Sequence, residues 1–135
     1  MRILLSAAVI LLGACSSAMQ SSDPADDVHL TVAPENATPG DSMTLTLRNE
    51  TTEQIGYNLC TSSLQRQTAG GWATVPSDVV CTMELRTLEP DQEASYRTAL
   101  PDDLASGQYR YTTSAEAMET GGGYGIMSNT FDVDS

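Results

Sequence analysis

"MTLTLRN", residues 43–49, decides the fold. Met43, Leu45 and Leu47 alternate with Thr44, Thr46 and Arg48. A period of two puts apolar side chains on one face of a strand and polar ones on the other. The same alternation recurs on both sides of this stretch. Upstream, "VHLTV" aligns Val28, Leu30 and Val32. Downstream, "IGYNL" aligns Ile55, Tyr57 and Leu59. "CTMELRTL", with Met83 and Leu85 facing inward, "ASYRTAL", "YRYTTS" and "SNTFDVD" continue the pattern. Half-buried antiparallel strands write this signature, and the enrichment in Thr and Tyr agrees with it.

The segments between these runs are turn chemistry. "APENATPGD", "NETTEQ", "TAGG", "EPDQE", "PDDLASG" and "ETGGGYG" gather Pro, Gly, Asn and Asp at roughly ten-residue intervals. That spacing predicts an all-β sandwich or small barrel. "QTAGGW" reads as a hairpin tip in which glycine supplies positive φ. "SAEAMET" is short and uncapped for a helix and is read as extended or loop. Trp72, the only tryptophan, follows Gly70-Gly71 and is expected in the core or on a hairpin face, with ligand stacking as the alternative.

The ordered pieces "TPGDSMTLTLRNETTEQIGYN", "LQRQTAGGWATVP" and "LEPDQEASYRTALPDDLASGQYRY" resemble a bacterial immunoglobulin-like domain family over roughly residues 28–113. The resemblance rests on Pro39-Gly40-Asp41, Asn49, Tyr57, Gly70-Gly71-Trp72, Leu88-Glu89-Pro90, and Leu104 with Gly107, Tyr109 and Arg110. Asp91 departs from it, because the family often has Gly after that Pro. The resemblance implies an immunoglobulin-like antiparallel β-sandwich of about seven strands on exported or surface proteins. It implies no shared activity.

The N-terminus speaks to location. Met1-Arg2 and an apolar run from Ile3 to Leu12 form a secretory signal, too short for a transmembrane helix of roughly 20 residues. Leu12-Gly13-Ala14-Cys15 resembles a bacterial lipobox. The resemblance implies cleavage before Cys15, a diacylglycerol on its sulfur, an acyl chain such as palmitate on its new amine, and membrane attachment. Ser16 in place of Asp implies the outer membrane, facing the periplasm, if the host is Gram-negative. The expected organisation is a signal peptide at 1–14, the lipidated cysteine and a Ser-, Asp-, Ala- and Pro-rich tether at 15–27, and one domain at 28–135.

Setting Cys15 aside leaves Cys60 and Cys81 of three cysteines. In an exported domain an even pair predicts a disulfide. The rival, a metal or redox pair, lacks a Cys-x-x-Cys and a nearby histidine. The bridge is expected to tie the strand before the Gly-Gly-Trp hairpin to the strand after it.

Composition excludes several activities. Net charge is -12 with no lysine, and five arginines follow the leader: Arg48, Arg66, Arg86, Arg97 and Arg110. Phosphate binding needs basic patches, so nucleic acid is excluded as a partner, and docking of the domain on anionic lipid is disfavoured. Arg110 is expected to face outward against an acid such as Glu84 or Glu93. His29 is the only histidine and reads as a solvated strand residue, so no catalytic triad is available. "DPADD", "PDDL" and "FDVD" lack EF-hand spacing, though loop carboxylates leave calcium open. Met118 and Met127 flank "GGGYG" without a histidine to complete a copper site. No catalytic residue, metal or cofactor is expected.

These readings describe a lipid-anchored envelope lipoprotein with a non-enzymatic module for an envelope protein or wall component. Candidate binding residues are Trp72 and Tyr124, the latter as the exposed anchor of the "TGGGYG" loop. The alternative is a proteinase inhibitor or periplasmic chaperone presenting "TAGGWAT" or "TGGGYGI" as a loop.

Overall fold

The turns set the strand directions. Pro39 and Gly40 form the centre of a turn closed by Asp41 N–H donating to Thr38 C=O at 3.1 Å, with Gly40 at φ +85°. Pro90 and Asp91 repeat the device: Gln92 N–H donates to Glu89 C=O at 3.1 Å and Asp91 sits at φ +66°. Both are type II turns, which need a left-handed residue after the Pro. The departure noted in the sequence is therefore an Asp occupying a glycine-favouring position.

The computed structural model describes residues 27–135. The expected signal peptide, Cys15 and nearly all of the tether lie outside the described residues. Eleven strand segments follow in order: β1 Val28–Ala33, β2 Asn36–Ala37, β3 Ser42–Asn49, β4 Ile55–Tyr57, β5 Ser63–Thr68, β6 Gly71–Thr74, β7 Arg86–Leu88, β8 Glu93–Ala99, β9 Gly107–Ala117, β10 Gly123–Met127 and β11 Phe131–Val133. They make two facing sheets, the sandwich that the alternation predicts.

The smaller sheet has the order β1-β3-β8, with β3 central and both pairings antiparallel. The larger sheet is built on β9. Along one side β9 pairs with β5 and then β4; along the other, with β11 and then β10. A 3-10 turn at Leu59–Thr61 separates β4 from β5, so one long strand appears as two pieces. β6 extends the sheet beyond β5, β7 lies beyond β4, and β2 runs parallel to β11.

The core lies between the sheets. Leu30, Met43, Leu45 and Leu47 from one side meet Ile55, Tyr109, Tyr111 and Phe131 from the other, all buried. The Phe131 ring stacks against Tyr109 at 6.1 Å and Tyr111 at 5.8 Å. The Tyr109 hydroxyl donates to Ala105 C=O at 2.6 Å, closing the corner that precedes β9. Asn129 pairs with Val32 as a strand would, accepting from its N–H at 2.8 Å and donating to its C=O at 3.1 Å.

Two expectations need correction. "CTMELRTL" is not one strand: only Arg86–Leu88 pairs, and residues 75–85 form an irregular strap outside the sheets. Met83 is 95 % exposed rather than inward-facing, and Leu85 is half exposed. The Cys60–Cys81 disulfide is present, with Cα atoms 5.8 Å apart. It does not join two strands; it ties the 3-10 turn to the strap.

Candidate interaction surface

The outward face of the larger sheet collects the features a partner would meet. Along β9, Arg110, Thr112, Ser114 and Glu116 point out while Tyr109, Tyr111, Thr113, Ala115 and Ala117 point into the core. Register places Gly123 of β10 beside Glu116, with Gly56 of β4 on the opposite side, and Gly125 beside Ser114. The result is a shallow open groove of about 590 Å³, walled on one side by Met83, Glu84 and Leu85 of the strap.

The strap holds its shape through few bonds. The disulfide fixes Cys81, Asn58 Nδ2 donates to Thr82 C=O at 2.8 Å, and Val75 N–H donates to Leu64 C=O at 2.8 Å. Between these points Val80 is 94 % exposed and Val79 is open to solvent, and beyond Thr82 so are Met83 and Leu85. A run of large exposed aliphatics on one disulfide-anchored segment marks an interaction site better than scattered single residues do. The alternation at Met83 and Leu85 was visible in the sequence; the absence of a strand to cover them was not.

Trp72 lies on the hairpin face of β6, half-buried, at the other end of the same sheet surface. The Arg110 guanidinium stacks over its ring at 4.2 Å, and Arg110 Nε donates to Gln65 Oε1 at 2.8 Å. The expected pairing of Arg110 with Glu84 or Glu93 is thus replaced by an aromatic face, a geometry the planar guanidinium favours. Those acids meet other cations instead: Glu93 lies 3.7 Å from Arg48, and Glu84 lies 3.9 Å from Arg86.

Tyr124 is not an exposed loop tip. It is a residue of β10, packed against the core, and its hydroxyl is covered without a hydrogen-bond partner. Burial, with the nearby Glu53 carboxylate, pushes its pKa above the usual phenol value. The structure places Trp72 and Tyr124 in the same sheet but on different faces, so they do not form one site. "TAGGWAT" is paired in the sheet except at the two-residue turn Ala69-Gly70, and "TGGGYGI" is paired from Gly123 onward. Each segment presents only a short exposed turn, Ala69-Gly70 in the first and Thr120–Gly122 in the second.

His29 is an exposed residue of β1, its Nε2 3.0 Å from Glu50 Oε2. The Arg48 guanidinium hydrogen-bonds Glu50 and holds its carboxyl below the ordinary range, with a smaller contribution from His29. This cluster is solvated and contributes little to stability. Among the described residues no three His, Cys, Asp or Glu side chains converge as a metal would require.

A family model described as a bacterial Ig-like domain matches residues 24–121. The chain is also similar to an X-ray structure of a structural-genomics target, at 18 % identity and a TM-score of 0.57, covering 84 % of this chain and 90 % of that one. A second similar structure is the ApaA protein from Bordetella pertussis, at 15 % identity and a TM-score of 0.49, covering 77 % and 86 %. No curated protein matches.

Proposed function

The chain belongs to the bacterial Ig-like domain family, and from that premise we propose that it is a non-enzymatic binding module of the bacterial cell envelope. A lipid on Cys15 anchors it at the outer membrane with the domain facing the periplasm. Its partner is an envelope protein or a wall component. The observation that carries this reading is the strap, where one disulfide holds Val80 and Met83 almost fully exposed beside a groove in the sheet. Stable anchoring takes two or more acyl chains, which is what lipidation of the Cys15 sulfur and amine supplies.

In-cell crosslinking of a tagged full chain, followed by mass spectrometry, tests the reading. One abundant envelope partner, absent from a Cys15→Ala control, is expected. No capture above that control overturns the binding module. Intact mass of membrane-extracted protein tests the anchor separately: a chain starting at Cys15 without lipid mass removes it.

A further inference from the structure

Gly123 and Gly125 have no local reason to be glycine. Among the described glycines, positive φ occurs at Gly40, Gly71, Gly107 and Gly121, so neither needs a left-handed backbone. A Cβ built on either meets no atom within 4 Å. Glycine inside a strand weakens it relative to Ala, because it loses more backbone freedom on folding. It belongs there when a ligand or another backbone comes close to the strand.

Both glycines face outward, beside Glu116 and Ser114 of β9. Gly56, across β9 from Gly123, is glycine for a different reason. A Cβ there would fall 2.9 Å from Met118 Sδ and 3.0 Å from Leu85 Cδ1, so those side chains already cover it. One end of the groove is therefore filled by the protein's own apolar side chains. The other end, over Gly123 and Gly125, is a bare floor. From β10 to β4 is two strand spacings, about 10 Å, enough to admit one extended polypeptide.

Charge selects the occupant. Glu116 stands on the floor and Glu84 on the wall, and the cation near them, Arg86, lies close to Glu84. The whole chain carries -12. Two copies docked through this face would oppose their own acids, which disfavours a self-complex. An anionic bilayer is repelled in the same way. Methionines such as Met83 and Met118 adapt their shape to varied apolar side chains.

We propose that the trough over Gly123 and Gly125 docks an extended basic-apolar segment of a partner protein, with Lys or Arg beside an aliphatic or aromatic residue. The cations meet Glu116 and Glu84, the apolar side chain meets Met83 and Leu85, and the missing side chains at 123 and 125 leave room for the backbone. The proposal rests on the binding-module reading and names its surface and ligand chemistry.

The test uses the full chain in detergent and two fluorescein-labelled peptides, one alternating Lys with Val and one alternating Glu with Val. Fluorescence anisotropy is read at low salt. The Lys peptide is expected to bind and the Glu peptide not to. Gly125→Val is expected to weaken binding about tenfold or more without lowering the urea midpoint, because a β-branched residue suits a strand. Glu116→Gln is expected to weaken binding and reduce its salt dependence. Equal binding by Gly125→Val, equal binding of the two peptides, or no binding of the Lys peptide overturns the proposal. In-cell crosslinking of Gly125→Val separates the two readings: undiminished capture overturns the trough and leaves the module standing, whereas loss of capture supports the trough.

Discussion

The side-chain Nδ2 of Asn49, in the smaller sheet, donates a 3.0 Å hydrogen bond to the backbone carbonyl of Leu88, in the larger one. Its second proton goes to Glu53 C=O at 2.9 Å, and its Oδ1 accepts from both the N–H and the hydroxyl of Thr51. Asn49 is fully buried, and all four of its hydrogen-bonding positions are used. It is a polar bolt through the end of an otherwise apolar sandwich.

Asn49→Ala is expected to lower unfolding free energy by about 2 kcal/mol, because the buried Leu88 carbonyl loses its donor, whereas Glu53 C=O keeps the Thr51 hydroxyl. Asn49→Asp should cost more at neutral pH, since a carboxylate would face those carbonyls with no proton to give. It should recover part of the loss in acid. Urea unfolding at two pH values reads both, and an Asp variant as stable as Ala at pH 7 refutes the donor assignment.

Asp91 predicts a gain. At φ +66° it occupies the left-handed position of a type II turn, where a Cβ is strained. Asp91→Gly should stabilise the domain by about 0.5 kcal/mol, the relief of strain being offset in part by greater freedom of the unfolded chain. Thermal unfolding decides the sign, and a lower midpoint removes the strain argument.

The strands that are legible are those with one face against the opposite sheet and one in solvent. β3 and its edge neighbour β1 both turn one face to the larger sheet, so Met43, Leu45 and Leu47 alternate with polar residues as Val28, Leu30 and Val32 do. Residues 82–85 carry the same alternation, yet the neighbouring pairing stops after three residues of β7 and the apolar side chains stay in solvent. Periodicity reports what a strand would bury and says nothing of what is there to bury it. Tyr124 failed in the opposite direction. Its glycine neighbours read as a loop, but the backbone ladder from Glu116 to Thr112 needs only N–H and C=O groups, which glycine supplies as well as any residue. The Trp72–Arg110 stack depends on β5 bridging β6 and β9, a long-range adjacency that no local window contains. The disulfide was legible because counting cysteines requires no geometry.

The Cys60–Cys81 bridge closes a separation of 21 residues. Loop-closure entropy predicts that removing it costs about 3 kcal/mol. The paired variant Cys60→Ala with Cys81→Ala should show this in urea. Its amide exchange should rise first across residues 75–85, where few other bonds hold the strap. Exchange that rises equally over β3 and β9 would mean that the bridge supports the whole sandwich instead.

Tyr111 gives the fold an alkaline limit. Its ring lies on the inner face of β9 against Phe131, and burial pushes its pKa up to about 12. In the unfolded chain the phenol releases its proton near pH 10, so the folded state binds the proton more tightly. Stability from this group is complete below about pH 10 and is lost as pH rises towards 12, a change on the order of 2 kcal/mol. Tyr124, also raised by burial and by Glu53, adds in the same direction. Tyr111→Phe keeps the ring and removes the ionisation, so its stability should fall less steeply than wild type between pH 10 and 12. Urea midpoints across that range test it. Parallel curves for the two proteins would show that the hydroxyl ionises as freely in the folded domain as in the unfolded chain.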